Sequence, residues 1–401
     1  MKKTLFFASI CYLMVTCSPT PEPLFKARED NSGVTTIRLL DEKTAAATPD
    51  SLIEGLRYIK LETNKNSLIS NYTKILACGD TLFILDKSMS QQCIFAFNFK
   101  GKFLFKIDAL GNGPQEYKEI SDFYVDCQSK HIGILNWSNI SKYDFEGEFI
   151  GSLNLQHYNI QRIQCRNNRL YAYKIPDCRT EKCFAFAAFD LDGNLLYEDY
   201  PERKEILSYG FVKSNYFASN SEKTYLNLLN SDTIYEVGAN SLHPKFVLDF
   251  GKIKLPEADF EKLLNRDFDY AFDYFRKNNL PSFGLSKFKI SDNYLWLVSS
   301  GPQEAYTTIY SLKSGQKKMY NNRYPSKEIL YPGSSNYLNG DLFYGRVSTP
   351  EILQIIKQDE YDGILDPMKN FSKTRTDKYN FIKDTKINDN DIIVLFKIKD
   401  F

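Results

Sequence analysis

The sequence predicts an all-β fold, a six-bladed β-propeller with four-stranded antiparallel blades, and three observations carry that expectation. An aromatic residue that leads into a turn recurs at Phe97, Tyr143, Phe189 and Tyr235, 46 residues apart each time. A second apolar, strand-like run stands upstream of each recurrence. Strong strand patterns also lie at residues 56–61 and 391–399, so both ends of the folded region offer a strand to close a ring.

Taken in order, residues 1–16 read as a signal peptide. Lys2 and Lys3 precede an apolar run from Leu5 to Val15, which is too short to span a bilayer as a mature helix. Cys17 follows Met14-Val15-Thr16, the arrangement of a lipoprotein signal whose cysteine becomes the lipidated first residue, although Thr16 stands where Gly, Ala or Ser is usual. Residues 17–33, opening with Ser18-Pro19-Thr20-Pro21-Glu22-Pro23, read as a proline-stiffened tether. The propeller itself is expected over 34–401.

Each repeat then supplies recognisable strands. The recurring aromatics sit in Phe97-Asn98-Phe99-Lys100-Gly101, Tyr143-Asp144-Phe145-Glu146-Gly147 and Phe189-Asp190-Leu191-Asp192-Gly193, where the glycine provides the backbone freedom of a hairpin turn. Tyr235 and Tyr310 continue the series, with extra length between them that reads as an insertion. The upstream strands are expected at 82–86, 132–136, 170–173, 224–228, 295–298 and 342–345. Units of about 46 residues match the size of a four-stranded propeller blade.

From about residue 56 onward the chain resembles the six-bladed β-propeller lipoproteins of Bacteroidetes, relatives of NHL-type propellers. The resemblance rests on the turn Gly111-Asn112-Gly113-Pro114-Gln115-Glu116-Tyr117, on Ile120-Ser121-Asp122-Phe123 and on the apolar ending Ile392 to Lys399. It implies a lipid-anchored propeller in the cell envelope, on the periplasmic side or at the outer-membrane surface. It implies no reaction.

If blade strands are lettered A to D from the centre outward, an up-and-down meander puts the B–C loops and D-to-A crossings on one rim. The long segments, at 108–121, 175–182, 254–283, 299–305 and 348–388, all fall in those positions, which marks this rim as the working face. A helical insertion is expected at 254–283, from the spacing of Phe260, Leu263, Leu264, Phe268, Phe272 and Phe275, and a long loop at 348–388 in which the shorter apolar run Ile352-Leu353-Ile355-Ile356 also looks helical. On the rim, Glu116, Tyr117, Asn136 and Trp137 are the candidate binding residues, with Glu116 and Tyr117 equally suited to do no more than pin the crossing between blades, where two glycines and Pro114 set the bend. Trp137 is suited to stacking on a sugar ring or to packing between blades. On this reading Tyr117→Ala or Trp137→Ala weakens a ligand without unfolding the protein.

Charge is nearly balanced, with 51 Lys and Arg against 50 Asp and Glu, and no basic field of the kind used on nucleic acid is evident. Only three histidines exist, none within metal-ligand spacing of another, and no Gly-x-Ser-x-Gly, phosphate-loop or His-Glu-x-x-His motif is present. The remaining metal candidates are Asp86, Asp122 and Asp126, carboxylates suited to a divalent cation at a channel mouth or simply to strand ends and turns. Of the six cysteines after Cys17, Cys178 and Cys183 flank a predicted hairpin loop and are placed for a disulfide, while buried free thiols are the default for the set.

The functional expectation is a binding or interaction module for a glycan, a peptide or an envelope partner protein, touching the membrane only through its lipid anchor. Whether it catalyses anything stays open at this stage. The alternative is a metal-assisted hydrolase or lyase that uses the channel-mouth carboxylates.

Overall fold

In a computed structural model of the chain, the described residues are 33–39, 47–89, 91–155, 158–174, 184–201, 216–228, 231–250, 270, 273–274, 277, 285–300, 305–322, 326–330, 335–339 and 341–401. The chain enters through β1 (Thr35–Arg38), the short helix α1 (Pro49–Leu52) and β2 (Ile53–Lys60). Blade 1 is β3 (Tyr72–Cys78), β4 (Thr81–Lys87), β5 (Gln92–Asn98) and β6 (Phe103–Ile107). Blade 2 is β7 (Asp122–Asp126), β8 (His131–Asn136), β9 (Asn139–Asp144) and β10 (Phe149–Asn154). Blade 3 is β11 (Ile160–Arg166), β12 (Arg169–Lys174), β13 (Phe184–Asp190) and β14 (Leu195–Pro201).

Blade 4 is β15 (Phe217–Ser219), β16 (Thr224–Leu226), β17 (Thr233–Val237) and β18 (Leu242–Asp249), and blade 5 is β19 (Leu285–Ile290), β20 (Tyr294–Ser300), β21 (Ala305–Ser311) and β22 (Lys317–Asn321). Blade 6 begins with β23 (Ser335–Asn339) and β24 (Leu342–Val347). After helices α2 (Thr349–Asp362) and α3 (Lys373–Ile382) it resumes with β25 (Ile392–Ile398). Its sheet order is β2-β25-β24-β23, so the outermost strand comes from the N-terminal side. Ring closure through both ends, expected from the two terminal strand patterns, is what the β2–β25 ladder provides, with Arg57 opposite Leu395 and Ile59 opposite Ile393.

The repeat has a local cause. Phe97, Tyr143, Phe189, Tyr235 and Tyr310 all fall on third strands, and the side chains of Asn98, Asp144 and Asp190 organise the turns that follow. Each accepts two backbone amides, from Lys100 and Lys102, from Glu146 and Glu148, and from Asp192 and Asn194, at 2.8–3.0 Å. At Gly101 the backbone has φ +83°, and a Cβ would lie 1.9 Å from the Lys60 carbonyl oxygen, so a side chain there would collide with the closing strand.

The apolar core is divided into six clusters, one for each seam between neighbouring blades. An open array of six blades would have only five seams. The sixth joins blade 6 to blade 1 through Ile59, Tyr344, Ile393 and Leu395 against Ile75, Leu82 and Ile84. Between blades 5 and 6, Trp296 lies 5.6 Å from Phe343 and 5.8 Å from Phe396, and the two phenylalanines stack 5.9 Å apart.

Three features depart from the sequence expectations. Blade 4 has a fifth strand: β1 pairs in parallel with β18, Thr35 opposite Phe246 through Arg38 opposite Asp249. The segment 348–388 is a pair of helices, not a long loop. Ser348 and Glu351 form a capping box at the start of α2, and Gly363 ends it in the left-handed region. Ile352, Ile356, Tyr379 and Ile382 pack into the blade 5–6 seam, and the buried carboxylate of Asp359 pairs with Arg375 at 2.8 Å and Lys378 at 3.1 Å.

The cysteines also differ. Cys78 and Cys127 form a disulfide that joins the end of β3 to the residue after β7, while Cys93 and Cys165 are buried free thiols as the default held. Cys17, Cys178 and Cys183, the signal and all but residue 33 of the tether, and nearly all of 254–283 lie outside the described residues.

Candidate ligand site at the channel mouth

The long crossing between blades 1 and 2 holds itself in shape. The Glu116 carboxylate accepts the Gly113 amide at 2.7 Å, and a Cβ on Gly111 would lie 2.0 Å from the same carboxylate oxygen. Tyr117 is fully buried in the blade 1–2 seam. Its hydroxyl is 2.9 Å from the Gln92 carbonyl and 3.2 Å from both the Ile107 carbonyl and the Ala109 amide. This corrects its placement on an open rim: the side chain is a joint between blades and presents nothing to solvent.

Trp137 does project outward, 68% exposed, at the β8–β9 turn with φ +59°. Its amide donates to Ser121 Oγ at 3.4 Å, which puts it on the same rim as the crossing. The Asn136 side-chain oxygen is buried and has no hydrogen bond among the described residues. The rim residues therefore separate into buried Tyr117 and exposed Trp137 and Glu116.

The three metal candidates are each engaged in holding the fold. Asp86 accepts the amides of Ser70 at 2.7 Å and Asn71 at 3.1 Å, and the Gln91 side chain at 3.1 Å. Asp122 accepts Lys74 Nζ at 2.8 Å on one oxygen and the Ile163 amide at 2.9 Å on the other, so a single carboxylate ties blades 1, 2 and 3 together. Asp126 accepts the Gln128 amide at 3.0 Å, and its other oxygen faces His131 Nδ1 at 3.7 Å. Burial pushes the His131 imidazole below its usual pKa, opposed by Asp126 and assisted by Lys142. Among the described residues no group of three or more His, Cys, Asp or Glu is arranged to hold a metal ion.

What the innermost strands do build is a cavity of about 560 Å³ along the ring axis, lined by β3, β7, β11, β15 and β19 with Tyr344 and Arg346 of β24. Its walls carry six basic side chains against two carboxylates. Three of these basic residues share one structural address. In blades 1, 3 and 5 the innermost strand has a register shift at its start, between Tyr72 and Lys74, Ile160 and Arg162, and Leu285 and Lys287. A bulge re-aims the side chain that follows it, and here that residue is basic in three alternate blades. Lys289 lies two residues beyond Lys287, on the same face of β19.

Lys287 and Lys289 make no hydrogen bond or ion pair among the described residues, whereas Lys74 is paired with Asp122 and Arg346 with Asp391 at 2.8 Å. The Lys289 amine is pushed down to about 7, first by burial and then by the charges of Lys74 and Lys287, partly offset by Asp122. Lys287 is also pushed down, by burial and then by Arg346. Sequence reading missed this site because the repeats were aligned on their third strands. The signal lies at the first strands, in Tyr72-Thr73-Lys74, Ile160-Gln161-Arg162 and Leu285-Ser286-Lys287.

A depressed lysine pKa sets a pH dependence with a definite sign. Between about 7 in the folded chain and 10.5 in the unfolded chain, the unfolded state binds the extra proton, so this group makes stability rise with pH through that window. The gradient approaches about 1.4 kcal/mol per pH unit. Thermal midpoints measured from pH 7 to pH 9 should therefore climb more steeply for the wild type than for Lys289→Met, and the variant should be the more stable at pH 7. Identical slopes would remove this account of Lys289.

No curated protein sequence matches the chain significantly. Among solved structures, a protein described as exported, from Bacteroides fragilis, superposes with a TM-score of 0.71 at 19% identity, over 92% of this chain and 100% of that one. The β-propeller domain of the Trilobed protease from Pyrococcus furiosus aligns with a TM-score of 0.37 at 10% identity, over 69% of this chain and 78% of that one. No helix among the described residues is long and apolar enough to cross a membrane. A family model described as a domain of unknown function, DUF4934, matches residues 35–397, and the chain belongs to that family.

Proposed function

We propose that this protein is a binding module of the cell envelope, exported and anchored by lipid on Cys17, whose ligand enters the central channel from the long-loop rim. The observation that carries the reading is the axial cavity, large enough for a sugar unit or a peptide side chain, where the edges of the blade cores are joined by polar side chains outside them, among them Arg162, Gln164, Lys287 and Lys289. The signal-like N-terminus and the description of the Bacteroides fragilis protein as exported support the location. A glycan, a peptide or a segment of an envelope partner is the class of ligand, and Trp137 on the same rim is placed to contact whatever part stays outside.

The test is a thermal-shift screen of neutral and acidic oligosaccharides and short peptides against the wild type, Gln164→Trp and Trp137→Ala. Gln164 lines the cavity, so a tryptophan there narrows it. A stabilising ligand should lose its effect in Gln164→Trp and keep most of it in Trp137→Ala. The reverse pattern would move the site to the outer rim and end the channel reading.

A further inference from the structure

We propose that the channel mouth recognises an oxyanion, a carboxylate, phosphate or sulfate group carried by the ligand, through Lys287 and Lys289 with Lys74 and Arg162 around them. The inference rests on the channel being the ligand site and adds the charge of what binds there.

The charge balance of the cavity is the first reason. Asp122 is committed to Lys74 and the Ile163 amide, while Asp126 gives one oxygen to the turn at Gln128 and turns the other, buried and without a hydrogen bond among the described residues, toward His131 at 3.7 Å. Arg346 is matched by Asp391, the residue just before β25. Lys287 and Lys289 remain as half-buried amines on one face of one strand, with no carboxylate partner among the described residues. Unpaired cations in a confined, low-dielectric site repel each other and are costly to keep unless an anion joins them.

Placement is the second reason. Basic residues stand at the bulged start of the innermost strand in blades 1, 3 and 5, so positive charge approaches the axis from three sides near the rim where the long loops gather. A cleft lined by one sign of charge between apolar walls focuses its field on the opening. Lysines act there as adaptable point charges, and Arg162 adds a planar donor suited to paired oxygens. An oxyanion seated among them would accept hydrogen bonds that the described residues leave unmade at Lys287 and Lys289.

The experiment is calorimetric titration of the full chain at constant ionic strength with sodium phosphate, sodium sulfate, sodium galacturonate and, as the uncharged control, galactose. Saturable binding is expected for at least one anion and none for galactose. The Lys287→Gln/Lys289→Gln double variant should weaken it about tenfold or more. Lys289→Arg, which keeps the charge, should retain it, and serves with Lys287→Gln alone if the double variant does not fold. Phosphate or sulfate binding alone would assign an ester group, and galacturonate binding alone a carboxylate.

Anion binding that is unchanged in the lysine variants, or equal binding of galactose, would overturn the inference. A neutral oligosaccharide that binds and is displaced by Gln164→Trp, with no response to any anion, would overturn the charge assignment and leave the channel as the site. Anion binding indifferent to Gln164→Trp would overturn both.

Discussion

A chain ending at Asn390 should fail to reach the native state. Its loss removes β25, which pairs with β24 on one side and β2 on the other, so a single deletion opens the ring and strips the outer strand from blade 6. Ile392, Val394, Phe396 and Ile398 leave the blade 5–6 seam, and Ile393 and Leu395 leave the seam to blade 1. At about 1.5–3 kcal/mol for each buried aliphatic or aromatic side chain, six such losses equal or exceed the roughly 5–15 kcal/mol that holds a typical domain together. Loss of the near-ultraviolet circular dichroism signal and of the compact gel-filtration volume would report the failure. A truncated chain with a cooperative, wild-type unfolding midpoint would show that closure is dispensable.

The second large effect is expected at Tyr117, where the turn motif left a ligand contact and a pin between blades as alternatives. The side chain fills a sealed position in the blade 1–2 seam, and burial pushes its hydroxyl well above the ordinary range. Tyr117→Ala should cost about 3–5 kcal/mol through the cavity it leaves. Tyr117→Phe keeps the ring and removes only the oxygen that meets Gln92, Ile107 and Ala109, for about 1–3 kcal/mol. Urea denaturation of both separates packing from hydrogen bonding. A Tyr117→Ala protein as stable as the wild type, with a changed affinity for a ligand, would restore the residue to a binding role.

The contrast between these two positions explains how much could be read from the chain. The propeller was legible because the C–D turns of blades 1, 2 and 3 repeat one chemistry: an aromatic on the third strand, an Asn or Asp that collects two amides, then a glycine. Local signals of that kind survive in sequence. Ring closure was legible for a similar reason, since residues 391–399 and 56–61 are apolar enough to need partners.

What stayed hidden depends on contacts between distant segments. Strand β1 joins blade 4 in parallel, without a hairpin turn to announce it. Helix α3 buries Arg375 and Lys378 around Asp359, so its inward face reads as polar and its periodicity is masked. The Cys78–Cys127 bond crosses 49 residues, close to the repeat length, because the two cysteines occupy nearly matching places in adjacent blades. The basic cluster was hidden by the overall charge: a balanced total gives no hint that six cations share one cavity with two carboxylates.

The extra strand on blade 4 changes how the ring would meet a pulling force. From β1 the chain passes to Ala47, whose amide donates to Met319 at the edge of blade 5, and then to β2 on blade 6. The N-terminal segment is therefore a strap laid across three successive blades. Tension applied to the chain before residue 33 would load β1 first, held by four register pairs on β18 and by the Arg38–Asp249 contact. That attachment must peel before strain reaches Ala47, and both must give way before the closing strand feels any load. On this arrangement β1 would act as a fuse, yielding before the closing strand is loaded.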